Sequence, residues 1–154
     1  MFTGRREMKC RLHTLRGISF LDGCTAGELA RIDRLGTPIS IRPGRTLTRE
    51  GAVGRECFVT LEGVAIAERA GRRIGTIGAG EIAGEMALLD RTTRNATVVA
   101  RTSMHLLVLS DRELDELLDI APSIEATLAR IADERRAGDA QSGGGSERPT
   151  TFAT

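Results

Sequence analysis

The sequence predicts a mainly β domain, an antiparallel roll or barrel flanked by helices, and three observations predict it. From Thr37 to Leu109 short apolar alternations recur with glycines between them, at positions 44, 51, 63, 71 and 80. A turn signal about every ten residues is the mark of short strands joined by hairpins. Helix-length apolar stripes are confined to the two ends of the chain, so the strands are not linked as βαβ units.

The elements follow in order. Residues 1–17 form a basic lead-in carrying Arg5, Arg6, Lys9 and Arg11, with Met8, Leu12 and Leu15 at near-helical spacing. Thr25-Ala-Gly-Glu28 is a capping box, in which the threonine hydroxyl and the glutamate each satisfy an otherwise unpaired amide. It opens a helix whose apolar face is Leu29, Ile32 and Leu35. Strands are expected around Ile39 and Ile41, Leu47, Phe58–Leu61, Val64 and Ile66, and Ile74 and Ile77. A helical interruption from Glu85 to Leu89 can run only to about Asp90, because Thr92, Thr93 and a renewed β pattern follow. Ala96–Ala100 and Met104–Leu109 complete the strands. A second capping box, Ser110-Asp-Arg-Glu113, precedes Leu114, Leu117 and Leu118 on one helical face. Pro122 breaks that helix and starts the next, with Ile124, Leu128 and Ile131 as its stripe. Gly138 is read as the stop, and Ser142–Ser146 with the polar end to Thr154 has linker composition. The expected division is a lead-in of residues 1–17, one domain over 18–137, and a flexible Gly/Ser-rich tail over 138–154.

The bulk properties narrow the function classes. With 154 residues and a net charge of +1, the chain can bury a core yet carries no global field toward nucleic acid or anionic membrane. It has no Trp or Tyr and only four Phe, which argues against an aromatic platform for single strands. Cys10, Cys24 and Cys57 are odd in number and far apart, so no disulfide framework or zinc knuckle is expected. Cys57 is read as a small core residue, and His105, in an apolar strand, as a packed core histidine. With His13 the only other histidine, no metal site is expected. No apolar run of membrane-spanning or signal-peptide length occurs, and a cytoplasmic protein is expected.

One stretch carries chemistry. Residues 78–97 read GAGEIAGEMALLDRTTRNAT. Gly78, Gly80 and Ala83 spell G-x-G-x-x-A, the dinucleotide fingerprint. That fingerprint needs a parallel βαβ unit, a helix of normal length, and an acidic residue about 20 positions on. Here the helix is short, the upstream strands are glycine-separated, and no carboxylate lies near Ser103. The second half offers a different site. Gly84 allows close backbone approach, and the short helix after it presents free amides from Gly84 to Ala87. Arg94 can fork onto two oxygens of one phosphate. Glu85, an acceptor only, suits a sugar hydroxyl beside that phosphate. Thr97 is either a ligand hydroxyl or an ordinary strand threonine. No Walker lysine or magnesium-binding carboxylates accompany the group, so a nucleoside triphosphate does not fit. In isolation Arg94 would be read as a surface residue pairing with Asp90, and Glu85 as a first-turn carboxylate serving the helix dipole.

Gly84-Glu-Met-Ala-Leu88, a short linker and Arg94-Asn-Ala-Thr97 resemble the phosphate-binding cassette of cyclic nucleotide-binding domains, as in catabolite activator protein and protein kinase A regulatory subunits. The resemblance reaches from about residue 18 to 136 through Phe20-Leu-Asp-Gly23, Arg42-Pro-Gly44, Glu50-Gly51, Cys57–Gly63 and Gly80–Gly84. Ala83 stands where the family usually has an aromatic, and Thr93 where a proline is common.

The resemblance implies an eight-stranded antiparallel β-roll of the jelly-roll type, with an N-terminal helix and C-terminal helices. It implies a ligand site of Gly84, Glu85, Met86, Ala87, Arg94, Asn95, Ala96 and Thr97 for the phosphate and ribose of a cyclic nucleotide. It also implies a base lid on the last helix at Ile131, Glu134 or Arg135. A hydroxyl after the arginine goes with guanine in that family. Asn95 can donate and accept and permits either base, so cyclic AMP is expected only as the commoner bacterial ligand, with cyclic GMP open.

The expected function is a non-enzymatic sensor without cofactor, signalling through its C-terminal helices to an unidentified effector protein. No nucleophile–base pair is visible in the sequence. A homodimer through the Ile124, Leu128, Ile131 stripe is one option, and packing of that stripe on the roll is the other. A helix-turn-helix output is not expected after Gly138, so no nucleic-acid partner is, and the chain is read as a free-standing module or a fragment. A ligand-free protein-interaction domain and a nicotinamide-dependent enzyme are the alternatives.

Overall fold

A computed structural model describes residues 11–141. The basic residues before Arg11 and the tail from Ser142 lie outside the described residues, as do the side chains of Met86 and of residues 135–141. Helix α1 covers residues 11–16, and a 3-10 turn follows at Ser19–Leu21. Helix α2 (Ala26–Leu35) starts at Thr25 with the full capping box: Glu28 N–H donates to Thr25 Oγ1 at 3.1 Å and Thr25 N–H to Glu28 Oε1 at 2.8 Å. Arg11 grips the buried Asp33 of α2 with Nε at 2.8 Å and Nη2 at 3.3 Å, which docks α1 onto α2.

Eight strands are found among the described residues, in two four-stranded sheets paired antiparallel throughout. They are β1 (Thr37–Ile41), β2 (Thr46–Thr48), β3 (Glu56–Glu62), β4 (Ala65–Arg69), β5 (Arg72–Ile77), β6 (Ile82–Ala83), β7 (Thr97–Ala100) and β8 (Met104–Ser110). One sheet has the order β1-β8-β3-β6, the other β2-β7-β4-β5. Successive strands alternate between the sheets except at the β4–β5 hairpin, the closed end of a ribbon rolled up as a jelly roll. Helix α3 (Glu85–Asp90) interrupts the strands where the sequence expects it. Helices α4 (Asp111–Ile120) and α5 (Pro122–Gln141) end the described chain.

Both faces of the first sheet are covered, so β3 and β8 read as nearly continuous apolar runs. Inward, Phe58, Met104 and Leu106 join Ala65, Ala67, Ile77, Ala83, Val98 and Ala100 to fill the roll. Outward, Cys57, Val59, Leu107 and Leu109 meet the helices through Leu15, Ile32, Leu117 and Leu128. Truncating such a leucine to alanine costs about 2–5 kcal/mol.

Two expectations are corrected. His105 is not a core histidine: its side chain is 56 % exposed. It shares the outer face with Leu107 and Leu109 but stands beyond the edge of the helical cover. There its Nδ1 lies 2.8 Å from Ser40 Oγ and its Nε2 3.6 Å from Glu62 Oε2. Gly138 does not end the last helix, which runs to Gln141. A helical glycine costs only about 1 kcal/mol relative to alanine, and the helix-compatible Ala137, Asp139 and Ala140 flank it. Of the two options for the Ile124, Leu128, Ile131 stripe, packing within the chain is the one seen: Ile124 and Leu128 are buried in the helical cluster with Ile131 packed against it. Cys57, by contrast, is fully buried as expected.

Candidate functional site

The site is built where β6 ends. Ile82 and Ala83 pair with Val59 and Phe58 of β3. Gly84 then turns the chain at φ +87°, a left-handed value a side chain resists, and α3 begins at the next residue. No side chain caps its first turn. After six residues Arg91 closes the helix, also left-handed, and Thr92 N–H donates to Ala87 O. The chain returns beside residues 51–54: Arg94 N–H donates to Ala52 O at 2.7 Å and Gly51 N–H to Arg94 O at 2.8 Å.

This return delivers Arg94 to the start of α3. Its Nη1 donates to Gly84 O at 2.9 Å and its Nη2 to Glu56 O at 2.6 Å. The residue is only 5 % exposed, so it is not the surface arginine that an isolated reading gives. Burial works against its charge, while Glu56, Cys57 and Glu85 work to keep it. An arginine so placed stays a cation near neutral pH. Glu85, the next residue after Gly84, is fully buried. Behind them, burial and then the charge of Glu85 push the Cys57 thiol well above its usual range, which leaves it protonated and unreactive.

Of the residues expected from the sequence, Gly84, Glu85, Ala87 and Arg94 come together. Ala87 is buried. The side chain of Met86 lies outside the described residues, though its backbone is in α3. Ala96 is fully buried, and its carbonyl accepts from Thr48 Oγ1 at 3.0 Å. Asn95 is half-buried, its carbonyl accepting from Arg69 Nε at 2.7 Å. Thr97 serves the sheet: its hydroxyl accepts the N–H of Glu50 at 3.0 Å, tying β7 to the segment after β2. On α5, Ile131 belongs with the helical cluster and Glu134 is exposed. Arg135 lies outside the described side chains. The hydrogen bonds of Arg94 go to Gly84 and Glu56, and not to this helix.

Two contributors escape sequence reading. Glu56 acts through its main-chain carbonyl, so residue identity carries no signal. Gly54 lies against the site: a Cβ there would stand 2.7 Å from Ala87 Cβ and 3.1 Å from Arg94 Cζ and Nη1. Its only visible sign in the sequence is a glycine three residues after Gly51.

Comparison with known proteins identifies the family and the fold. The model of a family described as "Cyclic nucleotide-binding domain" matches residues 38–120. A cyclic nucleotide-gated potassium channel of Rhizobium etli is 34 % identical over 113 residues, 73 % of this chain and 32 % of that protein. The chain thus spans about a third of the length of the curated relatives it matches first. Among solved structures, cAMP-bound PfPKA-R superposes with a TM-score of 0.82 at 24 % identity, covering 90 % of this chain and 48 % of that one. The regulatory subunit of a cAMP-independent protein kinase A from Trypanosoma brucei gives 0.78 at 23 % identity, covering 92 % and 53 %. These two likenesses establish the fold.

Proposed function

The chain belongs to the cyclic nucleotide-binding domain family, and from that premise we propose that it is a regulatory sensor holding one cyclic nucleotide against Arg94 and Glu85. The observation that carries this is the setting of Arg94. Its guanidinium is buried and oriented by two backbone carbonyls. Carbonyls fix its direction without neutralising it, and of its five N–H groups three remain for an anion. A desolvated cation held this way gains most from a bound phosphodiester, which it can meet with two parallel hydrogen bonds. Glu85 accepts from the ribose 2′-hydroxyl, and the main chain from Gly84 to Ala87 lies along the phosphate. Cyclic AMP is taken ahead of cyclic GMP only as the commoner ligand of the bacterial members of the resembled family, since the amide of Asn95 can serve either base.

The ligand is read out through α3, which packs against α5, while α5 packs against α4. A nucleotide that prefers one arrangement of these helices shifts their populations, and a partner protein senses the shift. Among the described residues no helix is long and apolar enough to cross a membrane.

One observation favours a second reading. Ala83 is fully buried at a position where the resembled family usually places an aromatic, so the packing under Gly84 is thinner. A ligand-free interaction domain on the same fold accounts for that. Calorimetry separates the two. Saturable heat with cyclic AMP or cyclic GMP in the micromolar range supports the sensor, and silence with both supports the ligand-free domain.

A further inference from the structure

Along α3 runs an open groove of about 670 Å³, walled by α3 and α4, with the start of α5 at one end and with Gly54 and Ala87, the neighbours of Arg94, in its lining. Its floor is apolar: Leu88 and Leu89 come from α3, Leu118 from α4, and Val53 from the segment laid along Thr93. Val53 is 69 % exposed, one of two large hydrophobic residues left in solvent among the described residues. Its rim is acidic. Asp111 and Asp115 face the groove from α4 and Glu125 from α5, against Arg91 as the single cation of the lining. All four are exposed, and none forms an ion pair with another described residue. Asp111 and Asp115 stand one helical turn apart, so like charges are held together on one face.

We propose that this groove docks a basic amphipathic helix of a partner protein. An apolar floor takes Leu, Met or Phe side chains, and an unneutralised acidic rim takes flanking Arg or Lys while rejecting acidic segments. The longer walls are the helices α3 and α4, and the extended segment at Val53 is already bridged to Thr93, so an occupant must satisfy its own backbone hydrogen bonds. A helix does so, and helix-in-groove docking uses anchors at i, i+3, i+4 and i+7. The groove shares Gly54 and Ala87 with the surroundings of Arg94, so the partner grips the element proposed to sense the nucleotide. The docking stands on the groove alone and holds whether or not Arg94 binds a ligand.

The test is fluorescence anisotropy on the full chain with a labelled Leu/Ala/Arg peptide of about 18 residues, long enough to form a helix. Its leucines are patterned on one face. A peptide of equal composition with scrambled pattern is the control. Expected are saturable micromolar binding, at least tenfold weaker binding of the scrambled peptide, and at least tenfold weakening by Asp111→Lys/Asp115→Lys and by Val53→Asp. Circular dichroism of both variants should match the parent. Equal binding of both peptides, or variants that bind as the parent does, would overturn the proposal. So would a concentration-dependent dimer that Val53→Asp dissolves, because a second copy would then own the groove. Tighter peptide binding after Arg5→Glu/Arg6→Glu would overturn it too, by placing the chain's own basic start there.

Discussion

Arg94 donates to the carbonyl of Gly84 at 2.9 Å, so the turn that opens α3 and the return that follows it are closed on each other by one guanidinium. The same side chain reaches Glu56 O on β3. Recognition and local structure therefore share a residue. Arg94→Ala is expected to weaken cyclic nucleotide binding by about 2–5 kcal/mol, as loss of a desolvated charge contact does. It also leaves two carbonyls without their donor, which costs about 1–3 kcal/mol of stability each if they stay dry. Arg94→Lys keeps the charge but cannot fork to both carbonyls and phosphate, so its affinity should fall between the two. Calorimetry and urea unfolding measure both effects. An Arg94→Ala protein with unchanged affinity would refute the phosphate assignment.

Gly54 sets the space in which that guanidinium lies. Adding a methyl group places a carbon 2.7 Å from Ala87 Cβ and 3.1 Å from Arg94 Cζ, closer than packed carbons tolerate. Gly54→Ala should weaken nucleotide binding at least tenfold, about 1.4 kcal/mol. Combining it with Ala87→Gly removes the clash with α3 but not the one with Arg94. Stability should then recover more than affinity, and full recovery of affinity would show that Gly54 acts through α3 alone.

These two residues also mark what the sequence made legible. Signals written in adjacent residues read correctly. Thr25/Glu28 and Ser110/Glu113 form complete capping boxes, and α3 ends at Asp90, closed by Arg91 just ahead of Thr92 and Thr93. Readings that depend on what covers a face did not. His105 shares a face with Leu107 and Leu109, yet the helices stop short of it. On β4 the inward residues are Ala65 and Ala67, while the larger Ile66, and Val64 just before the strand, are left more exposed. The roll is too narrow there for alternation of size to report burial. The two-residue β6 is too short to show a period at all. Within the site, the types of Gly84, Glu85 and Arg94 were legible. The burial of Arg94 against Gly54 and its hydrogen bond to Glu56 O at the start of β3, 38 residues earlier in the chain, are encoded by no local pattern.

Glu85 should matter to one hydroxyl. It is fully buried beside Gly84, and the sensor reading gives it the ribose 2′-hydroxyl. Glu85→Gln keeps its shape while removing its charge, and is expected to bind cyclic AMP several-fold more weakly. For 2′-deoxy cyclic AMP the same substitution should cost almost nothing further, since the hydrogen bond is already absent. This is a double-mutant cycle between protein and ligand. Equal losses for both nucleotides would show that Glu85 acts on structure and not on the sugar.

Cys57 supplies a pH signature of the folded site. Burial, and next the charge of Glu85, raise its thiol pKa above the ordinary 9.0, whereas an unfolded chain titrates near that value. Below pH 9 both states keep the proton, so the group does not change stability with pH. Above pH 9 the unfolded chain releases it and the folded chain does not. Stability should therefore fall as pH rises past 9, with a limiting slope of about 1.4 kcal/mol per pH unit from this one thiol. Cys24 shifts in the same direction from the same cause, burial, but is only partly covered, so its share should be smaller. Urea unfolding between pH 8 and about pH 10 measures the slope, and Cys57→Ala should flatten it while lowering stability at neutral pH by the loss of packing. A slope that survives Cys57→Ala unchanged would place the titrating group elsewhere. Thiol reagents offer an independent reading at neutral pH. Cys24 should be modified in the native protein, and Cys57 only as fast as the roll opens.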